Sequence, residues 1–408
     1  MENRFLLFLF FVSQLVYSQT IIKGTVYQVN GPLEGAAVYL NNTMLGTTTN
    51  ANGEFSFPVK SGQYEMIISY LGYKKIIYSL NTSNYTKPLV FALEEAKNTL
   101  DEIIIKKTVY DDEWKYNLTA FKRAFIGQSK LAEECEILNP EALHFNFDAN
   151  KNILNAYARK PLQIQHKGLG YKITYELETF TINNSLVTYL GYSRYQKLKG
   201  NKRKERKWKK NRLITFNGSP MHFYRTLLTN STYKDGFLLH LFKRVPNPER
   251  PTEAELQKAR EIVRLNLSRN KNVNFSASIA APKTAFDSAR VVLNKQKLPK
   301  FKDNIYKSKA PVSDIVLKEN SSTYLNIEHN VLVVYTKEKE ERKYIMRNAF
   351  SKIREAYPQS SSIIPLKKPT AIDINGLLVN PLHVYYEGYW SFEKFGNALP
   401  IDYKPQKK

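Results

Sequence analysis

Short runs of alternating apolar and polar side chains fill residues 20–95: IIKGTVYQV, AAVYLNN, GEFSFPV, QYEMIISYLGY, KKIIYSLN and KPLVFALEE. In GEFSFPV, Phe55, Phe57 and Val59 share one face while Glu54 and Ser56 take the other. In QYEMIISY, Tyr64, Met66, Ile68 and Tyr70 alternate against Glu65 and Ser69. A period of two places successive side chains on opposite faces of a strand. Turn residues interrupt the runs about every 8–12 residues, the spacing of an antiparallel sandwich. The pattern predicts a seven-stranded antiparallel β-sandwich over 19–96.

The period then lengthens. In DDEWKYNLTAFKRAFIGQSKL, 111–131, Trp114, Leu118, Phe121 and Phe125 recur at helical spacing. Asp111, Asp112 and Glu113 precede them, where acids suit the positive end of a helix dipole. Residues 97–130 thus read as a linker and a helix. Strand patterns resume in LHFNF, NILNAYA, GYKITYELETFTI and LVTYLGYSRYQKL. Tyr171, Ile173, Tyr175 and Leu177 fall on one face, with Lys172, Thr174, Glu176 and Glu178 on the other, and TINNS joins two such strands as a hairpin.

Ser219 and Pro220 have the residue types of a helix cap and a first helical position. PTEAELQKAREIVRLN is amphipathic, and 285–295 reads as a further helix. DIVLKE, STYLNIEHN and VLVVYTKE are strands, RKYIMRNAFSKIREAY is helix-like, and IDINGLLVN and HVYYEGYWSF are strand-like. The fold class is therefore mainly β with α+β. A sandwich is followed by a larger α+β region over 131–408, with the helical stretch at 250–300 as its candidate divide. Alternating strands also build membrane barrels, but the end, KPQKK, lacks the terminal aromatic usual there.

The stretch GTTTNANGEFSF, 46–57, has the look of a calcium loop without its acids. Calcium takes six or more oxygen ligands, usually including several carboxylates, and Glu54 is the only acid nearby. Asn and Gly accept positive φ, so Asn50, Ala51, Asn52 and Gly53 are expected to close a hairpin. The order G-T-V, P-L-x-G-A-x-V, G-T-T-T-N-A-N-G-E-F-S-F and G-x-Y-x-x-x-I-S-Y-L-G-Y, from Gly24 to Tyr73, resembles the carboxypeptidase-like regulatory domain. Members often carry Asp where this chain has Asn50 or Asn52. The resemblance implies a small transthyretin-like β-sandwich without catalytic residues. It also implies attachment to exported proteins of Bacteroidota-type bacteria, outer-membrane nutrient receptors among them. LDEIIIKK, 100–107, is similar to the segment that follows the domain in those receptors. LNP, KPLQIQHKGLGYKITYELETF and NGSPMHFYRTLL together resemble longer exported proteins that carry the domain, and no activity comes with that likeness.

The first residues, MENRFLLFLFFVSQLVYSQT, set Arg4 before an apolar run over 5–12 and modest side chains at Val16 and Ser18. That is the order of a signal peptide, placed at 1–18. The run is shorter than the roughly 20 residues that span a bilayer, so no transmembrane span is expected after cleavage. The chain is expected to be exported, in the periplasm or associated with the outer membrane. Its one cysteine, Cys135, rules out an internal disulfide. Net charge is +24, from 61 Lys and Arg against 37 Asp and Glu. Inside a cell that balance points to nucleic acid. For an exported chain it points instead to an anionic glycan, an anionic lipid or an acidic protein face, and no nucleic acid is expected.

Candidate chemistry is sparse. The histidines are His144, His166, His222, His240, His329 and His383, and none has zinc-peptidase spacing. No G-x-S-x-G, P-loop or G-x-G-x-x-G occurs. No catalytic residue, metal or cofactor is therefore assigned. Cys135 sits in EECEI, an acidic context that disfavours a thiolate. Ser219, His222 and Arg225 are close in sequence, but no acid has the spacing to orient the imidazole, so they read as a capping serine and a half-buried histidine.

The run NKRKERKWKKNR, 201–212, admits two readings. One is an anion-binding site of Lys202, Arg203, Lys204, Arg206, Lys207, Trp208, Lys209, Lys210 and Arg212, with Trp208 stacking or inserting at an interface. The other is a solvated loop or strand pair in which Trp208 anchors the segment to the core. The expected function is a non-catalytic exported interaction or assembly module of the cell envelope. Binding of anionic glycan or lipid through 202–212 is the alternative, and an unrecognised hydrolase comes last.

Overall fold

The computed structural model describes residues 19–96, 108–184, 186–269, 282–320, 322–347 and 354–405. The leader and the LDEIIIKK segment lie outside the described residues. The N-terminal strands are β1 (Gln19–Gln28), β2 (Gly31–Pro32), β3 (Ala37–Leu40), β4 (Gly46–Thr48), β5 (Glu54–Lys60), β6 (Gln63–Ser69), β7 (Ile76–Asn81) and β8 (Leu89–Ala92). They form two four-stranded sheets, β2-β1-β5 with β8 added to β1, and β4-β3-β6-β7. Phe55, Phe57 and Val59 of β5 point inward as their alternation requires and meet Ile22, Val38, Met66 and Ile68 in one core.

The sandwich differs from expectation in two details. It has eight strands, because Gly31–Pro32 adds a short one, and β8 runs parallel to β1. The turn at 50–53 forms, with Asn50 Oδ1 accepting from the amides of Asn52 (3.0 Å) and Glu54 (2.9 Å). It does not close a hairpin, however. β4 pairs with β3 and β5 with β1, so the turn carries the chain from one sheet to the other. Gly53 has φ +71°, and a Cβ there would lie 2.4 Å from the Val26 carbonyl oxygen. Only glycine fits that approach.

A second sheet follows helix α1 (Asp112–Phe125). It contains β9 (Cys135–Ile137), β10 (Leu143–Asp148), β11 (Ile153–Ala158), β12 (Leu162–His166), β13 (Tyr171–Asn183) and β14 (Leu186–Lys197). The order is β10-β11-β13-β12-β9, with β14 along the other edge of β13. The register shifts between Leu177 and Thr179, so the core side chains are Tyr171, Ile173 and Tyr175 before the shift and Phe180 after it. Asp111 caps α1 by accepting from the Trp114 amide at 2.9 Å. The helix then lays Phe121 on Phe180 and Phe125 on Tyr175, with ring centroids 4.5 and 5.0 Å apart.

The remainder contains α2 (Lys202–Phe216), α3 (Pro220–Thr229), β15 (Phe237–Pro246), α4 (Glu253–Arg269), α5 (Ala285–Lys295), β16 (Phe301–Lys307), β17 (Val316–Glu319), β18 (Ser322–Leu325), β19 (Asn330–Lys339), β20 (Pro358–Pro365), β21 (Thr370–Ile372) and β22 (Val384–Gly388). Sheets β16-β15-β19-β20-β22 and β17-β18-β21 enclose a further core with Phe223 and Leu227 of α3. β15 and β16 pair directly, so α4 and α5 are an excursion from one hairpin rather than a divide at 250–300. RKYIMRNAFSKIREAY is helical only at Arg342–Ile345 among the described residues, and 354–357 is not helical. There the Glu340 carboxylate holds the Arg354 guanidinium at 2.6 Å and the Tyr357 amide at 3.2 Å, and Pro358 disfavours helix in the residue before it. Strand-like HVYYEGYWSF becomes helical at Tyr389–Glu393. No helix of the described residues is long and apolar enough to cross a membrane.

The C-terminal 395–403 returns to the core of the second sheet. His166, fully buried, fixes that return. Its Nε2–H donates to the Gly396 carbonyl (2.7 Å) and its Nδ1 accepts from the Leu169 amide (3.2 Å). Only the neutral ring satisfies both, and burial holds its pKa below the usual histidine range. The unfolded chain, titrating near 6.5, takes up the proton first, so this contribution is complete above about pH 6.5 and declines as pH falls below it. The stability advantage of wild type over His166→Gln, measured by urea unfolding, should therefore shrink between pH 7 and pH 5. The largest slope is about 1.4 kcal/mol per pH unit.

Candidate functional site

The sandwich does not hang free of the rest of the chain. Glu176, in the middle of β13 and 8% exposed, receives three donors from it. Tyr39 Oη lies 2.7 Å away, Ser69 Oγ 2.8 Å and Lys75 Nζ 2.8 Å. Lys75 also bonds Glu178 and lies over the Tyr192 ring. Burial lowers the Lys75 pKa, but Glu176 and then Glu178 outweigh it and the net shift is upward. Burial, then Glu176, pushes the Tyr39 hydroxyl far up, so it stays a donor. Beside this cluster the chain at 41–46 lies along β14. Asn42 N donates to Ser193 O (2.8 Å), Tyr195 N donates to Thr43 O (2.8 Å) and Ser193 N donates to Asn41 Oδ1 (3.0 Å).

Next to Glu176 the two bodies leave an open cleft of about 660 Å³. Its walls include Tyr70, Leu71 and Tyr73 from the β6–β7 loop, and Tyr157, Arg159 and Lys160 from the end of β11. Tyr70 and Tyr73 meet edge to face at 5.6 Å, and Leu71 at the loop tip is 68% exposed. Aromatic and apolar side chains line the cleft together with charged groups of both signs, Lys75, Arg159 and Lys160 against Glu176 and Glu178. It holds no serine, cysteine or histidine arranged as a nucleophile and base.

The basic run is neither loop nor strand pair but helix α2, started by Asn201, whose side chain accepts from the Lys204 amide. Trp208 is 7% exposed and cannot stack or insert at an interface. Its Nε1–H donates to the Lys167 carbonyl (2.8 Å), and Gly170, at φ +69°, makes room for the ring: a Cβ there would lie 2.2 Å from it. Asn211 donates to Gly168 O, and Arg212 donates to Leu169 O and Gly170 O while covering the Tyr171 ring. Lys207 pairs with Glu134. Lys202, Arg203, Lys204, Arg206, Lys209 and Lys210 remain exposed.

Ser219, His222 and Arg225 do not converge. Ser219 Oγ donates to Phe216 O and accepts from the His222 amide, which makes it a helix cap. His222 Nδ1 accepts from Gly218 N, and burial pushes its pKa down to about 4. Arg225 is spent on the carbonyls of Asn375, Ile401 and Tyr403. Cys135 is buried, and burial pushes its thiol up to about 12, an unreactive state. Among the described residues no group of three or more His, Cys, Asp or Glu is placed to hold a metal ion.

The junction is the part of this arrangement most sensitive to one substitution. Glu176→Ala leaves the Lys75 ammonium and two hydroxyls at the interface without their acceptor, and breaking one side of a buried pair costs about 3–5 kcal/mol. The expected result in urea unfolding is a loss near the lower figure, since Lys75 keeps Glu178. The sandwich and the second sheet should also unfold in separable steps. A single unchanged transition would show that Glu176 does not hold the junction.

Residues 22–105 match the family model of the CarboxypepD_reg-like domain. No curated protein matches the chain. The matched residues contain all of both sandwich sheets except the first three residues of β1, together with the 50–53 turn and the loop that forms one wall of the cleft. The N-terminal sandwich is a carboxypeptidase-regulatory-like domain, a non-catalytic type, joined to an α+β region.

Proposed function

We propose that the chain is a non-catalytic exported protein of the cell envelope that acts as an interaction or assembly module. Its contact surface is the cleft between the sandwich and the second sheet. One observation carries this reading: the sandwich is locked to the sheet through Glu176, and the lock leaves a preformed aromatic cleft beside it. A preformed apolar surface with a few fixed polar groups suits recognition, because little ordering entropy is lost on binding. Exposed Leu71 at the loop tip offers an apolar anchor, and exposed Lys160 favours a partner with an acidic group opposite it. Export rests on the leader pattern at 1–18.

A pull-down from envelope extract at low and high salt tests the proposal. A discrete protein should be retained at both. Leu71→Asp with Tyr157→Ala should weaken retention at least tenfold, about 1.4 kcal/mol, while the unfolding transition stays in place. Retention unaffected by the double substitution would remove the cleft from the proposal. Hydrolysis of peptides, esters or glycans by the purified chain at ordinary enzyme rates would overturn the non-catalytic reading itself.

A further inference from the structure

Helix α2 presents a surface that does not depend on the cleft. At 3.6 residues per turn, Lys202, Arg203, Arg206, Lys209 and Lys210 fall within an arc of about 120° on the side away from Trp208. All five are exposed, and among the described residues none forms an ion pair. Glu205 is the helix's one acid. Like charges on one face repel one another, and among the described residues no acid forms an ion pair with these five.

The cations are also held in place from beneath. Trp208, Asn211 and Arg212 donate to four successive carbonyls, those of Lys167, Gly168, Leu169 and Gly170. The five charges therefore sit on a fixed rod, spread over about 12 Å of helix axis. The face is convex, so it does not enclose a small anion. It carries no aromatic ring either, because Trp208 is turned inward. Single-stranded nucleic acid is gripped by stacking on such rings, and this face has none to offer. A flat array of phosphates meets a band of cations along one helix face without needing a pocket or a ring.

We propose that this face of α2 docks the protein flat on an anionic phospholipid surface. Each basic residue held near such a surface contributes about fivefold in partitioning. The contact is electrostatic, so it weakens as salt shortens the screening length toward about 8 Å and below.

The test is co-sedimentation of residues 19–408, which contain every described element, with phosphatidylcholine vesicles with and without phosphatidylglycerol. Binding should require phosphatidylglycerol and fall with salt. Arg206→Gln with Lys210→Gln should lower partitioning by about 25-fold. Lys87→Gln with Lys367→Gln, exposed elsewhere on the surface, removes the same charge and should change partitioning less than about threefold if the α2 face is the contact. Matching thermal unfolding of the two variants separates a lost contact from a lost fold. Failure to sediment with anionic vesicles would overturn the proposal, and so would equal losses in both variants, which would assign binding to net charge. Retention on a sulfated glycan resin without vesicle binding would overturn it in favour of a glycan.

Discussion

A carboxylate taken out of water has to be matched by charge and hydrogen bonds, and Glu176 sets that requirement in the middle of a sheet. All three donors that meet it belong to the sandwich: Tyr39 on β3, Ser69 at the end of β6 and Lys75 before β7. Satisfying Glu176 therefore fixes where the sandwich sits. The position of the cleft follows, since its sandwich wall is the 69–75 loop that supplies two of those donors. A domain of a non-catalytic type becomes one half of a shaped surface because an acid in the other half takes its three donors from it.

The sequence makes the strands around Glu176 legible but not its burial. Alternation along β13 assigns Tyr171, Ile173 and Tyr175 to the core and Glu176 to the polar face, and the backbone obeys it. What alternation does not contain is that the polar face is covered by residues up to 137 positions away in the chain. The register shift at Leu177 breaks the same pattern and brings Phe180 to the core, where a strict period of two would have kept Leu177 and Thr179. The 50–53 turn is similar: its chemistry is local and readable, but which sheets it connects depends on how β3 and β1 choose partners.

The basic run shows the opposite balance. Lys, Arg and Glu are good helix formers, so 202–212 carried a helical preference that its charge obscured. Its one large apolar residue, Trp208, gives no periodic signal, because a single anchor has no period. The structure supplies the missing information by placing the 167–170 turn beneath it, with Gly170 leaving space for the ring. Of the nine residues singled out, Trp208 and Arg212 face inward, Lys207 is paired, and the others are displayed. RKYIMRNAFSKIREAY errs in the other direction. Its propensity favours helix, yet Glu340 and the start of β20 hold 354–357 out of one.

The C-terminal 395–403 completes the constraint that Glu176 begins. Arg225 of α3 donates to the carbonyls of Ile401 (2.8 Å) and Tyr403 (2.9 Å), while the Ile401 amide donates to Asn42 O (2.7 Å) in the sandwich. Phe395 stacks on Phe125 of α1, and Gly396 accepts from His166. One segment thus touches the sandwich, the second sheet and the helix that opens the third core. Most of these contacts are backbone hydrogen bonds or ring stacking, but Arg225 brings a guanidinium to them and Asp402 of the same segment accepts from the Met44 amide of the sandwich. Glu176 holds the sandwich to β13, and 395–403 ties it to the second sheet and to α3. Together they explain why a sandwich of portable family type is built into this chain as a fixed part of its surface.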